Sequence, residues 1–166
     1  MWRRIAVLIV FAVAGCRGVV GLKPSPSERA AAKIYASKPP GSGLLDWRPL
    51  LGCYAVEDWH FALDSLSGPR GVYVPTGGQL VRKARSTLPP DPLAATAWFA
   101  TGPQSFMFFR SNPLYGFMIE FVARGDSLGG RVISLSDIVG KPEPPTMRLA
   151  VREDCTTSGL SRVPDQ

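Results

Sequence analysis

From Leu50 onward, apolar residues in this chain recur at every second position, in short runs broken by turn residues. Trp59, Phe61 and Leu63 alternate with Asp58, His60 and Ala62. Phe117, Ile119 and Phe121 alternate with Met118, Glu120 and Val122, and Met147, Leu149 and Val151 with Arg148, Ala150 and Arg152. Successive side chains of a strand point to opposite faces, so this period means strands with a buried face. Val72 and Val74 flank Tyr73 in the same way, and "QLVRKARS", "TAWFAT", "SFMFFR" and "LGGRVISLS" are further runs. Gly102-Pro103 and Arg124-Gly125-Asp126-Ser127 stand between runs as turn signals. The chain spends 16 prolines and 17 glycines on its 166 residues, which suits many tight connections. Short strands joined in sequence predict an all-β domain, a small antiparallel up-and-down barrel of about eight strands, because closing the sheet removes its exposed edges.

The three cysteines bear on that closure. Cys53 opens the first strand and Cys155 follows the last. In a closed eight-stranded meander these strands are neighbours, so a Cys53–Cys155 disulfide would staple the barrel. Two buried free thiols are the other reading. A metal site is not expected, since there is no Cys-x-x-Cys and His60 is the single histidine.

Cys16 ends the stretch "MWRRIAVLIVFAVAGC". Two arginines, an apolar run from Ile5 to Ala14 and small residues form the layout of an export signal. The run is too short for the roughly twenty residues of a membrane-spanning helix. Val13-Ala14-Gly15-Cys16 resembles the bacterial lipobox, in which an aliphatic and two small residues precede a lipid-bearing cysteine. The resemblance implies a signal peptide over residues 1–15 and acyl chains on Cys16, enough for stable anchoring. Arg17, rather than Asp, follows that cysteine. By similarity to Gram-negative sorting rules, this implies a place in the cell envelope, on the outer membrane facing the periplasm. Export would also put Cys53 and Cys155 in an oxidising compartment.

Residues 16–49 read as a tether carrying a short helix. Ser25 can cap, Pro26 suits the first helical position and Glu28 completes a capping box, with "ERAAAKIY" following. About twelve residues is marginal for a free helix. The segment is therefore expected to space the domain from a membrane, the alternative being that Ile34 and Tyr35 dock on it. The barrel is expected over 50–156 and a flexible tail over 157–166. The net charge of +6 lies entirely within residues 1–52, because 53–155 carries ten bases and ten acids. A nucleic-acid-binding domain would gather its bases on the folded part, so no nucleic-acid partner is expected. A basic N-terminal segment suits anionic lipid instead.

"LLGCYAVE", the hairpin "EFVARGDSLGGRVISLSD" and the closing "VREDC" together resemble small lipocalin-like (calycin) lipoproteins of bacteria. There a Gly-x-Trp or Gly-Cys-Tyr motif starts the first strand and a Gly-Asp-x-Leu-x-Gly hairpin comes late. The resemblance covers Leu50 to Cys155 and implies a barrel that binds a small hydrophobic ligand. The candidate ligand residues are Trp59, Phe61, Trp98, Phe106, Phe108, Phe117 and Phe121, which either line a pocket or pack a core. In "SFMFFR", Met107 and Phe109 face away from Phe106 and Phe108. That second face needs cover from the 20–38 helix, the tail, a partner or lipid. This surface and the loop "GKPEPPT" (140–146) motivate the other reading, an envelope interaction, assembly or inhibitor lipoprotein with a packed barrel. No enzyme is expected and no cofactor: a hydrogen-bonded or solvent-facing His60 is the simpler reading than a general base. Gly77-Gly78 and Gly129-Gly130 lack the context of a phosphate cradle and read as turn or bulge glycines.

Overall fold

The computed structural model describes residues 23–40, 46–68, 80–90, 94–111, 115–136 and 146–160, without the side chains of 115 and 134–136. The signal segment with Cys16, the Val72–Val74 run, the loop 140–145 and the last six residues lie outside the described residues.

Eight strands follow one another around a closed barrel: β1 (Gly52–Val56), β2 (Trp59–Ser67), β3 (Arg82–Ser86), β4 (Ala95–Gly102), β5 (Ser105–Ser111), β6 (Tyr115–Arg124), β7 (Ser127–Ser136) and β8 (Met147–Glu153). Every pairing is antiparallel, and β1 meets β8 through Cys53↔Glu153, Tyr54↔Arg152 and Ala55↔Val151. The up-and-down barrel expected from the alternation is the observed fold. Cys53 and Cys155 are disulfide-bonded, with Cα atoms 5.1 Å apart, beside that closing ladder.

The alternation sorts side chains as expected on most strands, but on β8 it is Ala150, not the Met147–Leu149–Val151 set, that enters the core, and Val151 is 45 % exposed. Phe61, Leu63, Trp98, Phe106, Phe108, Ile119, Phe121 and Leu128 point inward into one core with Tyr54 and Val56. Gly129 and Gly130 are neither turn nor bulge residues: both lie in regular register within β7, opposite Val122 and Phe121. Their role is close approach, one on each face of the strand. A Cβ on Gly130 would stand 2.6 Å from the Phe121 ring, and one on Gly129 would stand 2.3 Å from the Ala31 carbonyl oxygen. The first glycine makes room for the core and the second for a helix.

That helix is α1 (Pro26–Ala36). The Ser25 side chain accepts from the Glu28 amide while the Glu28 carboxylate accepts from the Ser25 amide, so the capping box is complete. The segment does not act as a free spacer here: its helix docks, lying against β6, β7 and β8 with Ala31 fully buried. The Tyr35 hydroxyl and the Lys38 ammonium both donate to Glu120 on β6, pinning the helix end. Residues 157–160 also turn back on the domain, and Ser158, only 6 % exposed, donates to the Cys155 carbonyl at 2.9 Å.

The Glu120 contacts make the docking pH-dependent. Burial alone would raise the Glu120 carboxyl, but hydrogen bonds from Lys38 and Tyr35 outweigh it and hold the group below the usual carboxylate range. Burial, and then the bond to Glu120, push the Tyr35 hydroxyl up to about 12. The Glu120 contribution is present above the unfolded value of about 4.3 and is lost as pH falls through the lower folded one. The Tyr35 contribution is present below the unfolded value of about 10 and is lost as pH rises toward the folded one. Helix docking, followed by the NMR shift of the Ile34 methyl groups, is therefore expected to be flat from about pH 5 to 9 and to loosen on both sides. Glu120→Gln should remove the acid limb; an unchanged acid limb would disprove the assignment.

Candidate functional site

All seven aromatic residues singled out from the sequence come together inside the barrel, in two layers. The deeper layer is closed. Phe61 lies 5.2 Å from Tyr54, 4.9 Å from Phe108 and 5.4 Å from Phe121 between ring centres. Phe106 joins Phe121 at 5.4 Å and Trp98 at 5.8 Å. Phe61, Trp98, Phe106, Phe108 and Phe121 have no exposed surface. These rings hold one another in place, as the inward residues of a small barrel do when they fill it.

The shallower layer lies at the end of the barrel that carries the β1–β2 turn. Trp59 is the first residue of β2 and Phe117 the third of β6, so strand alternation directs both inward at the rim. Their rings stand 6.2 Å apart, and Phe108 forms the floor, 5.7 Å from Trp59 and 6.3 Å from Phe117. Trp59 and Phe117 are half-buried, as is Val132, which packs beside them. The rim is thus a cluster of aromatic rings in contact with one another over a filled core, with Trp59 and Phe117 partly exposed and Phe108 buried beneath them. Its outer members offer apolar surface.

The opposite end is capped on its β1–β8 side. A short 3-10 turn, Arg48–Leu50, leads into β1, and Leu50 is buried beneath it. The Tyr54 hydroxyl donates to the Leu50 carbonyl at 2.9 Å. Arg152 of β8 crosses the closing seam, donating to the Leu51 carbonyl at 3.1 Å, to the Tyr54 hydroxyl at 3.0 Å and to the Pro49 carbonyl. Gly52 makes this path possible: its φ is +137° and a Cβ there would meet the Arg152 guanidinium at 3.0 Å. Glycine and tyrosine of the Gly-Cys-Tyr motif thus serve closure. Burial pushes the Tyr54 hydroxyl up in pKa, against the opposing pull of Arg152.

His60, on the outer face of β2, has its Nδ1 2.7 Å from a Glu153 carboxylate oxygen on β8, across the outer surface of β1. The partner was invisible in the sequence, 93 residues away. The outward face of β4 and β5 carries a separate cluster of Ala97, Phe99 and Phe109, edged by Val81, Met107 and Met118. The α1 helix, expected as one cover for this face, packs on the β6–β8 side instead. Two further residues escaped the sequence reading, Arg82 and Trp47, which meet at the end of the barrel opposite the rim. Arg82 shares the parity of inward Ala84, which is the signal that could have found it.

No family model, curated protein or solved structure matches this chain.

Proposed function

We propose that this chain is a lipid-anchored protein of the bacterial cell envelope, held at the outer membrane by acyl chains on Cys16, and that its barrel binds an apolar group on the rim surface formed by Trp59 and Phe117. The bond between Cys53 and Cys155 leaves Cys16 as the odd cysteine, directly behind an export-signal layout and within a lipobox-like motif. The observation that carries the binding reading is the rim cluster, in which partly exposed Trp59 and Phe117 lie over fully buried Phe108. Aromatic rings held on a rigid base give a small hydrophobic molecule an apolar surface to lie on. The reading is non-catalytic: the rim contributes apolar surface and exclusion of water.

The test is titration of the Cys16→Ser chain with N-phenyl-1-naphthylamine, a neutral probe that brightens in apolar surroundings. Saturable brightening is expected, with affinity reduced at least tenfold by Trp59→Ala with Phe117→Ala, since each ring contributes about 1.5–3 kcal/mol of apolar burial. Non-saturable brightening, or brightening unchanged in the double variant, would refute rim binding.

The filled interior favours one second reading, an envelope interaction or assembly protein, or an inhibitor, acting through its outer surface. Its mark is a specific protein cross-linked in cells and lost on Phe109→Ser, with no saturable probe binding.

A further inference from the structure

Arg82 is a charge in the core without a counter-charge among the described residues. It follows the parity of Ala84 into the barrel, is 8 % exposed, and lies between two indoles, 4.3 Å from the Trp47 ring and 5.2 Å from that of Trp98. Its Nη1 donates to the Leu80 carbonyl at 3.4 Å, a long bond, and its buried Nε has no partner among the described residues. The acids described near this end are engaged elsewhere: Asp46 accepts from the Arg48 amide, Asp64 holds Arg85 through both oxygens, Asp126 pairs with Arg152 and Asp154 accepts from the Thr156 amide. The flanking segments, 41–45 and 69–79, contain no aspartate or glutamate.

An unpaired guanidinium in an apolar core is strongly unfavourable. The indole faces offset part of that, because a cation over a ring is attracted to its π cloud. A ring face lies above or below the guanidinium plane, whereas the N–H donors point outward within it. Stacking therefore leaves the Nε edge unanswered. Planar recognition of a carboxylate or phosphate oxygen uses those donors. A second guanidinium, of exposed Arg48, lies 5.9 Å from the same Trp47 ring and adds positive potential at this end.

From the guanidinium between Trp47 and Trp98, whose buried Nε has no partner among the described residues, we infer that the end of the barrel opposite the rim is an anion-recognition site, in which Arg82 receives the carboxylate or phosphate of a molecule with an apolar body. The site is separate from the aromatic rim, at the other end of the core, and stands or falls independently of it. Buried Leu50 and the half-buried Leu51 beside Trp47 supply the apolar surroundings such a body requires.

The alternative is that Arg82 is only a clamp, holding Trp47 over the barrel end by stacking. The two readings differ in what Arg82→Met does to the empty protein. Methionine fills similar space and carries no charge to bury, so the receptor reading expects no loss of thermal stability, or a gain. The test uses the full chain in neutral maltoside detergent, with decanoate, decyl phosphate and, as a cationic control, decyltrimethylammonium. Thermal unfolding and tryptophan fluorescence are followed together, since two indoles flank the guanidinium. The wild type should gain about 8 °C at a hundredfold excess of anion over its Kd, with a saturable fluorescence change. Arg82→Met and the cationic control should show neither. The more effective anion identifies the headgroup as carboxylate or phosphate. The proposal is overturned if neither anion shifts the wild type, if the shift persists in Arg82→Met, or if Arg82→Met alone costs ten degrees or more while anions do nothing.

Discussion

Replacing Cys53 and Cys155 together by alanine lowers the free energy of unfolding by about 4–5 kcal/mol, on the chain-entropy argument for a loop of this size. The cross-link joins residues 102 apart and so restricts most of the unfolded barrel at once. It also sits beside the short closing seam, where β1 and β8 share a register of three residue pairs. Arg152 reinforces that seam through Pro49, Leu51 and Tyr54, and His60–Glu153 spans it on the outside. These contacts keep the closed state defined when the bond is absent, so the loss should appear in the urea midpoint with little change in slope. A double variant within 1 kcal/mol of the wild type would mean that the seam, not the cross-link, holds the barrel shut.

Phe61→Ala removes the ring on which the core converges and costs about 3–5 kcal/mol, the range for truncating a fully buried phenylalanine. Phe61 touches Tyr54, Trp59, Phe108 and Phe121, on three other strands besides its own. Its loss opens a void between rings that cannot follow it inward, because each is fixed by its own ladder. Phe99→Ala, on the outer cluster of β4 and β5, tests whether the cost is specific to the interior. Phe99 is equally apolar but has only Ala97 and Phe109 as buried companions there, and a smaller loss is expected. Urea unfolding of both variants makes the comparison. An equal cost for the two would contradict the division into an interior core and an outer satellite.

The barrel was legible because a two-residue period leaves little freedom. Once Phe117, Ile119 and Phe121 share a face, Met118 and Glu120 must share the other, and short turns such as Gly125-Asp126 dictate antiparallel neighbours. The helix cap was legible for a similar reason, since Ser25, Pro26 and Glu28 act within four residues. Contacts between distant segments were not. Glu120 reads as an ordinary outward acid until α1, 85 residues earlier, arrives on it with Tyr35. Gly129 reads as a turn residue until Ala31 lies on it. For the site, alternation brought seven aromatics into one interior, but strand periodicity does not encode depth. Only the closed register separates Trp59 and Phe117 at the rim from Phe61 and Phe121 beneath. Arg82 was hidden by its chemistry: a basic residue in a run of basic residues suggests a solvent-facing strand, and only its parity with Ala84 points inward.

The central claim is that the unpaired cysteine is the point where lipid joins the chain. Metabolic labelling with radioactive palmitate in a Gram-negative host tests it most directly. The wild-type protein should carry the label and sediment with membranes, and Cys16→Ser should carry none and be recovered in the soluble fraction. Label on Cys16→Ser, or none on the wild type, would contradict the account.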